Sequence, residues 1–209
     1  VQCEENLLGG QHELSRLVYD QSVDEAYHDQ EWAVPLMIDR AFEFLMFEAL
    51  QCGLSWDLIL KKREALKEAF RGFDPLTIAT FGECDVTRIM ATDGVIHSER
   101  KIRAVIKNAR AILPLPRNMA VLTAIFGGNK GKDPLLQRAW DRDPPDRQWP
   151  IQAISRDLKK RGFSFVGPVT IYSYLEAVGV INDHDESCPR YQALFSLSDA
   201  VWADPFEES

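Results

Sequence analysis

Apolar positions recur at helical spacing along most of the chain. From Asp39 to Gln51, Phe42, Leu45, Met46, Ala49 and Leu50 share one face, and Gly53 stops the predicted helix. Ser55 is placed to cap the next helix, Trp56 to about Phe70, and Asp74-Pro75 opens another with a cap and a first-turn proline. Cys84-Asp85-Val86 starts one more. Ser98 caps a longer helix whose apolar stripe is Ile102, Val105, Ile106, Ala109 and Ile112. Between residues 113 and 150 prolines and glycines punctuate a connecting region that has room for short helices at most. Ser155 is expected to cap a helix that ends in Lys159-Lys160-Arg161 and stops at Gly162. A six-residue hairpin, Phe163 to Pro168, leads into an apolar helix starting near Val169. No segment alternates with period two and no repeat is present, so the predicted fold class is all-α. Residues 1–24 have weak periodicity and read as a peripheral segment, 25–195 as the helical domain and 196–209 as an acidic tail.

Composition narrows the class. A chain of 209 residues with 45% hydrophobic content can bury a substantial core. No run of ~18 apolar residues and no signal-like segment occurs, which predicts an intracellular, cytoplasmic protein with no membrane association. The four cysteines, Cys3, Cys52, Cys84 and Cys188, include no CxxC pair and suit a reducing compartment. Cys52 and Cys84 have apolar neighbours and read as core thiols. The net charge of −8 is awkward for a nucleic-acid partner. The charge is uneven, however: Lys61-Lys62-Arg63, Arg100-Lys101-Ile102-Arg103 and Lys159-Lys160-Arg161 are basic, so a local basic face on an acidic body is possible.

The hairpin is the first candidate for chemistry. Gly167 permits a tight turn, Pro168 fits a first helical position where its missing donor costs nothing, and the following uncapped N–H groups suit a phosphate oxygen. A tight turn between two core helices would carry the same residues. Glu48 is the second candidate, because a carboxylate on so apolar a helix is costly unless it is paired. An acid pointing to solvent is the alternative for it.

Several stretches agree in order and spacing with one family. AYHDQEW (26–32), FEFLMFEALQCGLSW (42–56), LKKREAL (60–66), FDP (73–75), KIRAVIKNAR (101–110) and LKKRGFSFVGPVTIYSYLEAVGVINDH (158–184) resemble 3-methyladenine DNA glycosylase I over about residues 15 to 190. The resemblance implies a helix-hairpin-helix DNA glycosylase fold of two closely packed helical lobes. It also implies a monofunctional, monomeric enzyme of base excision repair that flips an alkylated, cationic adenine from double-stranded DNA and hydrolyses its N-glycosidic bond. Glu48 matches the glutamate that contacts the base, Tyr27 and Trp56 match aromatics expected to sandwich it, and Trp32 joins the base-binding set. Lys159, Lys160, Arg161, Gly162, Phe165 and Gly167 match the DNA-binding hairpin.

The resemblance further implies a structural zinc held by Cys, His, His and Cys. His28, His184 and Cys188 match three ligands, but Ser15 stands where the first cysteine is expected. That leaves three outcomes: no zinc, a site completed by Cys3 or His12, or a three-ligand site. Leu17 and Asp24 stand at usually aromatic positions, and Asn182 where related glycosylases carry a catalytic aspartate, with Asp183 read as a capping acid. A non-catalytic DNA-binding descendant with a drifted pocket is the alternative function. A helical protein with no DNA role is a third.

Overall fold

The computed structural model describes residues 21–34, 38–115, 148–179, 181, 183–185, 187–191 and 193–194. Among them every regular element is helical: α1 (Gln21–Gln30), α2 (Ile38–Gln51), α3 (Trp56–Ala69), α4 (Pro75–Ala79), α5 (Glu83–Met90), α6 (Glu99–Ile112), α7 (Gln148–Lys160) and α8 (Pro168–Ala177), with a 3-10 turn at Arg71–Phe73. The peripheral segment before Gln21, the connecting region 116–147 and the acidic tail lie outside the described residues.

Helix α2 is the axis of the fold. All ten residues from 41 to 50 are buried, including those facing away from the expected apolar stripe, because α3, α6 and α8 each pack against α2. One continuous apolar cluster runs from Tyr27 through α2, α3 and α6 to Val178, so the expected two lobes share a core. The end of α2 is closed by a side chain from α6. Lys101 Nζ donates to the carbonyls of Leu50 at 2.6 Å and Cys52 at 2.7 Å, placing a cation where the helix dipole is negative. Gly53, at φ +77°, makes the left-handed turn beyond it.

The caps follow the sequence closely. Ser55 Oγ accepts from Leu58 N, and the Asp74 carboxylate accepts from Leu76 N and Thr77 N ahead of Pro75. Ser98 is the N-cap residue of α6 but makes no side-chain cap bond. Two expectations are corrected. Ser155 does not begin a helix: α7 already starts at Gln148, and Ser155 lies within it, buried. Cys84 is not a core thiol but exposed, because the core face of α5 is formed by Val86 and Ile89; Cys52 is half-buried.

The basic cluster at the middle of α3 is structural. Lys61 pairs with Asp57 at 3.0 Å, and Lys62 donates to the carbonyls of Gly94 and Val95. Arg63 grips Glu31 with two bonds of 2.8 Å. This last pair ties the segment after α1 to α3 and so brings Tyr27 against the start of α3. Burial works to raise the Glu31 carboxyl, but the hydrogen bonds from Arg63 and then Arg40 outweigh it and hold it below the usual range.

Candidate active site

Glu48 does not face solvent. It is 5% exposed and its carboxyl makes no hydrogen bond or ion pair among the described residues, whereas Glu43, the other buried acid of α2, is paired with Arg40, Arg63 and Lys67. Burial, then the nearby Glu176 of α8, pushes it up to about 8. Tyr27, 4% exposed, shares this space: its hydroxyl is raised well above its ordinary value by burial, then by Glu48, with Glu176 a lesser contributor. Trp56 completes the wall. Its ring centroid lies 5.3 Å from that of Tyr27 with the planes inclined at 54°, and its buried Nε1 has no hydrogen-bond partner among the described residues. A purine held between two parallel rings needs about 7 Å between them, twice a stacking contact. Tyr27 and Trp56 therefore cannot sandwich a base between them as expected; they form one angled aromatic wall beside Glu48.

Glu176 of α8 is near enough to act on both Glu48 and Tyr27. Tyr172 and Glu176 are one turn apart on α8. The Tyr172 hydroxyl donates to Asp183 Oδ2 at 2.7 Å, which ties Asp183, expected as a capping acid, to α8. Glu176 is pushed up to about 8 by burial, then by its hydrogen bond and charge interaction with Asp183.

The hairpin is held by two buried polar side chains. The Asn108 amide, 0% exposed on α6, donates to Ser164 O at 3.0 Å and accepts from Ser164 N at 2.7 Å. Ser155 Oγ donates to Val166 O at 2.6 Å. Gly162 takes φ +99° at the end of α7, Gly167 is the N-cap residue of α8, and Pro168 occupies the first helical position. Phe165 sits at φ +57°, which an aromatic residue adopts only when its surroundings impose it, and the Arg100 guanidinium lies 5.0 Å from its ring centroid. A groove of about 620 Å³ runs beside the turn, with Arg100, Arg103, Lys107 and Lys159 on its walls. Arg103 is engaged by Glu83 and Glu99, and Arg161 by Asp157. Lys160 is exposed at the end of α7.

A third cluster joins α1 to the C-terminal segment. The ligand atoms of His28, His184 and Cys188 lie within 4.8 Å of one another, with Cys188 Sγ 3.7 Å from His28 Nε2. Tetrahedral zinc with nitrogen and sulfur ligands requires donor separations of about 3.3–3.8 Å, so a small closure would fit three donors to the ion. Burial, then the neighbouring His28, lowers His184 to about 4, which leaves its imidazole neutral, as a ligand must be. Trp32, 5% exposed, stacks on this cluster: its ring lies 4.1 Å from His184 and 5.7 Å from His28. Ser15, Leu17, Cys3, His12 and Asn182, like the Asp24 side chain, lie outside the described residues.

Residues 18–191 match the family model described as methyladenine glycosylase. The chain belongs to that family. It is 39% identical over 168 residues to DNA-3-methyladenine glycosylase 1 of Escherichia coli, a match covering 79% of this chain and 90% of that protein. It is 36% identical over 174 residues to DNA-3-methyladenine glycosylase of Haemophilus influenzae, covering 82% and 94%. A crystal structure of 3-methyladenine DNA glycosylase I superposes with a TM-score of 0.69 at 35% identity, over 81% of this chain and 94% of that one. The Staphylococcus aureus 3-methyladenine DNA glycosylase I, whose structure addresses recognition of 3-methyladenine, gives 0.68 at 31% identity, over 82% and 92%.

Glu176 and Asn108 were not picked out from sequence, and Ser155 was picked out only as a cap and not for its bond to the hairpin. Each is a polar residue inside an otherwise apolar helical face, which was the available signal. Their partners lie on other elements, and spacing along the chain does not name them.

Proposed function

We propose that this protein is a DNA-3-methyladenine glycosylase that extrudes an alkylated, cationic adenine from duplex DNA and hydrolyses its bond to the sugar. The observation that carries the reading is Glu48: a buried carboxyl beside Tyr27 that has no partner among the described residues is costly unless a cation completes it. An adenine methylated at N3 carries that charge. Glu48 accepts hydrogen bonds from the base, Tyr27 and Trp56 give it a face to lie against, and Trp56 Nε1, which has no partner among the described residues, can donate to it. Trp32, expected in the base-binding set, has its ring contacts with His184 and His28 instead.

The reaction needs little from the protein beyond placement. The bond between C1′ and N9 breaks with its electron pair going to N9, which neutralises the purine and leaves an oxocarbenium sugar. Water adds at C1′ and loses a proton to solvent, giving an abasic site. Negative charge around the pocket favours the sugar cation as it forms. The scheme assigns no lysine a nucleophile's role and forms no Schiff base, so the enzyme proposed is monofunctional. The hairpin supplies phosphate contacts through the free N–H groups at the start of α8, with Gly162, Phe165 and Gly167 shaping the turn. Lys159, Lys160, Lys107 and Arg100 give the basic edge that an acidic protein needs locally, and Arg161 adds to it while paired with Asp157. Such an enzyme acts as a monomer inside the cell.

Release of free base from methylated duplex DNA, separated by chromatography, tests the reading. The expected result is 3-methyladenine appearing with enzyme well above spontaneous loss. Duplex binding without any base release would overturn it in favour of a non-catalytic binder.

His28, His184 and Cys188 would hold a structural zinc that staples α1, and with it Tyr27, to the C-terminal segment. When bound, the ion supplies cross-linking only. The expected metal content is about one zinc per chain, with chelation lowering the melting temperature and Cys188→Ser losing both the metal and that response. Metal-free protein that melts identically with and without chelator would remove zinc from the architecture.

A further inference from the structure

The side chains that build the base pocket come from separate helices: Tyr27 from α1, Glu48 from α2 and Trp56 from α3. The same elements meet again in one charged cluster. Glu31, in the turn after α1, accepts two bonds of 2.8 Å from the Arg63 guanidinium of α3 and another of 3.2 Å from Arg40 of α2. Glu43 of α2 lies 3.6 Å from Arg63 Nε, 3.7 Å from Arg40 Nε and 3.4 Å from Lys67 of α3. Each pocket residue stands a short, rigid step from a member of this cluster. Glu31 is one turn past Tyr27, and the backbone N–H groups of Glu31 and Trp32 both donate to Tyr27 O at 2.9 Å. Glu43 precedes Glu48 on α2, and Arg63 is two turns past Trp56 on the same face of α3.

Arg63 is the member that joins all three elements. Its side chain is 15% exposed, against 40% for Arg40, and its guanidinium lies 5.6 Å from the Phe44 ring centroid and 5.7 Å from that of Phe47, the neighbour of Glu48. Apolar side chains could hold three helices together without the desolvation cost of a half-buried ion cluster. What the guanidinium adds is direction, because two parallel bonds to one carboxylate fix the orientation of both groups.

We propose that Arg63 is a positioning residue for base excision: through Glu31 and Glu43 it holds Tyr27, Glu48 and Trp56 in the arrangement that receives the damaged base. This rests on the base-pocket reading above. Without the paired bonds to Glu31 the end of α1 is free to pivot, and the Tyr27 ring shifts from its 5.3 Å contact with Trp56. The hairpin, held by Asn108 of α6 and Ser155 of α7, keeps its shape.

The test uses the full chain as wild type, Arg63→Met, Arg63→Lys, Glu31→Gln, the Glu31→Gln/Arg63→Met double variant and Glu48→Gln. It reads thermal melting, affinity for undamaged duplex, and kcat/KM for 3-methyladenine release from methylated duplex at a temperature well below every melting point. A purely structural role would lower the melting temperature and leave the rate of the folded protein unchanged. Arg63→Met is expected instead to lower kcat/KM about tenfold or more, toward the ~100-fold that a misplacement of about 1 Å costs, with undamaged-duplex affinity within about twofold of wild type. Glu31→Gln should show the same split, and the double variant should lose no more than the larger single loss, since the two groups act as one clamp. Arg63→Lys, which keeps the charge but not the fork, should recover melting more than rate. A folded-state rate within about twofold of wild type in Arg63→Met, an equal fall in base release and undamaged-duplex affinity, or single losses that multiply in the double variant would overturn the proposal. If Arg63→Met does not fold, Arg63→Lys carries the test, and a wild-type rate in it counts against the proposal. The base-pocket reading fails separately, if Glu48→Gln leaves release at the wild-type level.

Discussion

Glu48→Gln is expected to lower kcat/KM for 3-methyladenine release about 100-fold, while the protein melts at a higher temperature than wild type. The rate loss follows from exchanging a charge-assisted contact to a cation for a neutral one inside a low-dielectric pocket. The stability gain has the opposite origin. Glu48 is pushed up to about 8 by burial and then by Glu176, far above its value in an unfolded chain. A carboxyl raised in this way favours the folded state fully at low pH, and that contribution is lost as pH climbs from about 4.5 through about 8. Wild type should therefore lose stability across that window, and Glu48→Gln should lose less. Each kcal/mol relieved corresponds to roughly 2–4 °C in a chain of this size.

The same raised value predicts that wild-type kcat/KM increases with pH toward about 8, as the carboxylate needed to meet a cation becomes populated. Melting curves at pH 6 and 8.5, with base release measured over the same range, check both halves. Binding to undamaged duplex should be unaffected by the substitution. An unchanged release rate, or equal loss of damaged and undamaged duplex binding, would take Glu48 out of base recognition.

Asn108→Ala should destabilise the protein by about 2–4 kcal/mol and weaken duplex binding in the molecules that remain folded. Asn108 satisfies both the N–H and the C=O of Ser164 from a fully buried position, so its removal strands two backbone polar groups at the hairpin. Ser155→Ala, which removes a single bond to Val166 O, should cost about 1 kcal/mol by comparison. Denaturant midpoints give the energies, and titration of a fluorescent duplex gives the affinities. If Asn108→Ala lowered stability but left duplex affinity intact, the clamp would be purely structural and the shape of the hairpin would not depend on it.

Much of the fold was legible because it is local. Ser55 and Asp74 cap the helices they were expected to cap, Gly53 ends α2, and Gly162 and Pro168 frame the hairpin. Where expectation and structure part, the deciding contact is distant. Ser155 has the right residue type for a cap, but its hydroxyl finds Val166 across the hairpin and the helix extends back past it. Within the basic run at the start of α6, Lys101 is used to close α2, a helix about 50 residues earlier, and Arg103 is occupied by Glu83 and Glu99. That leaves Arg100 and Lys107 to face the groove beside the turn.

The chain by itself determined the helices, their caps, the hairpin and the isolation of one acid in an apolar face, since each depends on backbone preferences and on periodicity over a few residues. Only the tertiary structure decided what that acid faces. Tyr27, Trp56, Glu176 and Asp183 come from separate parts of the chain, and their angles and mutual charges exist only once α1, α3 and α8 have packed around α2. A sandwich could be expected from two aromatic residues, but the inclination of their planes was fixed by packing.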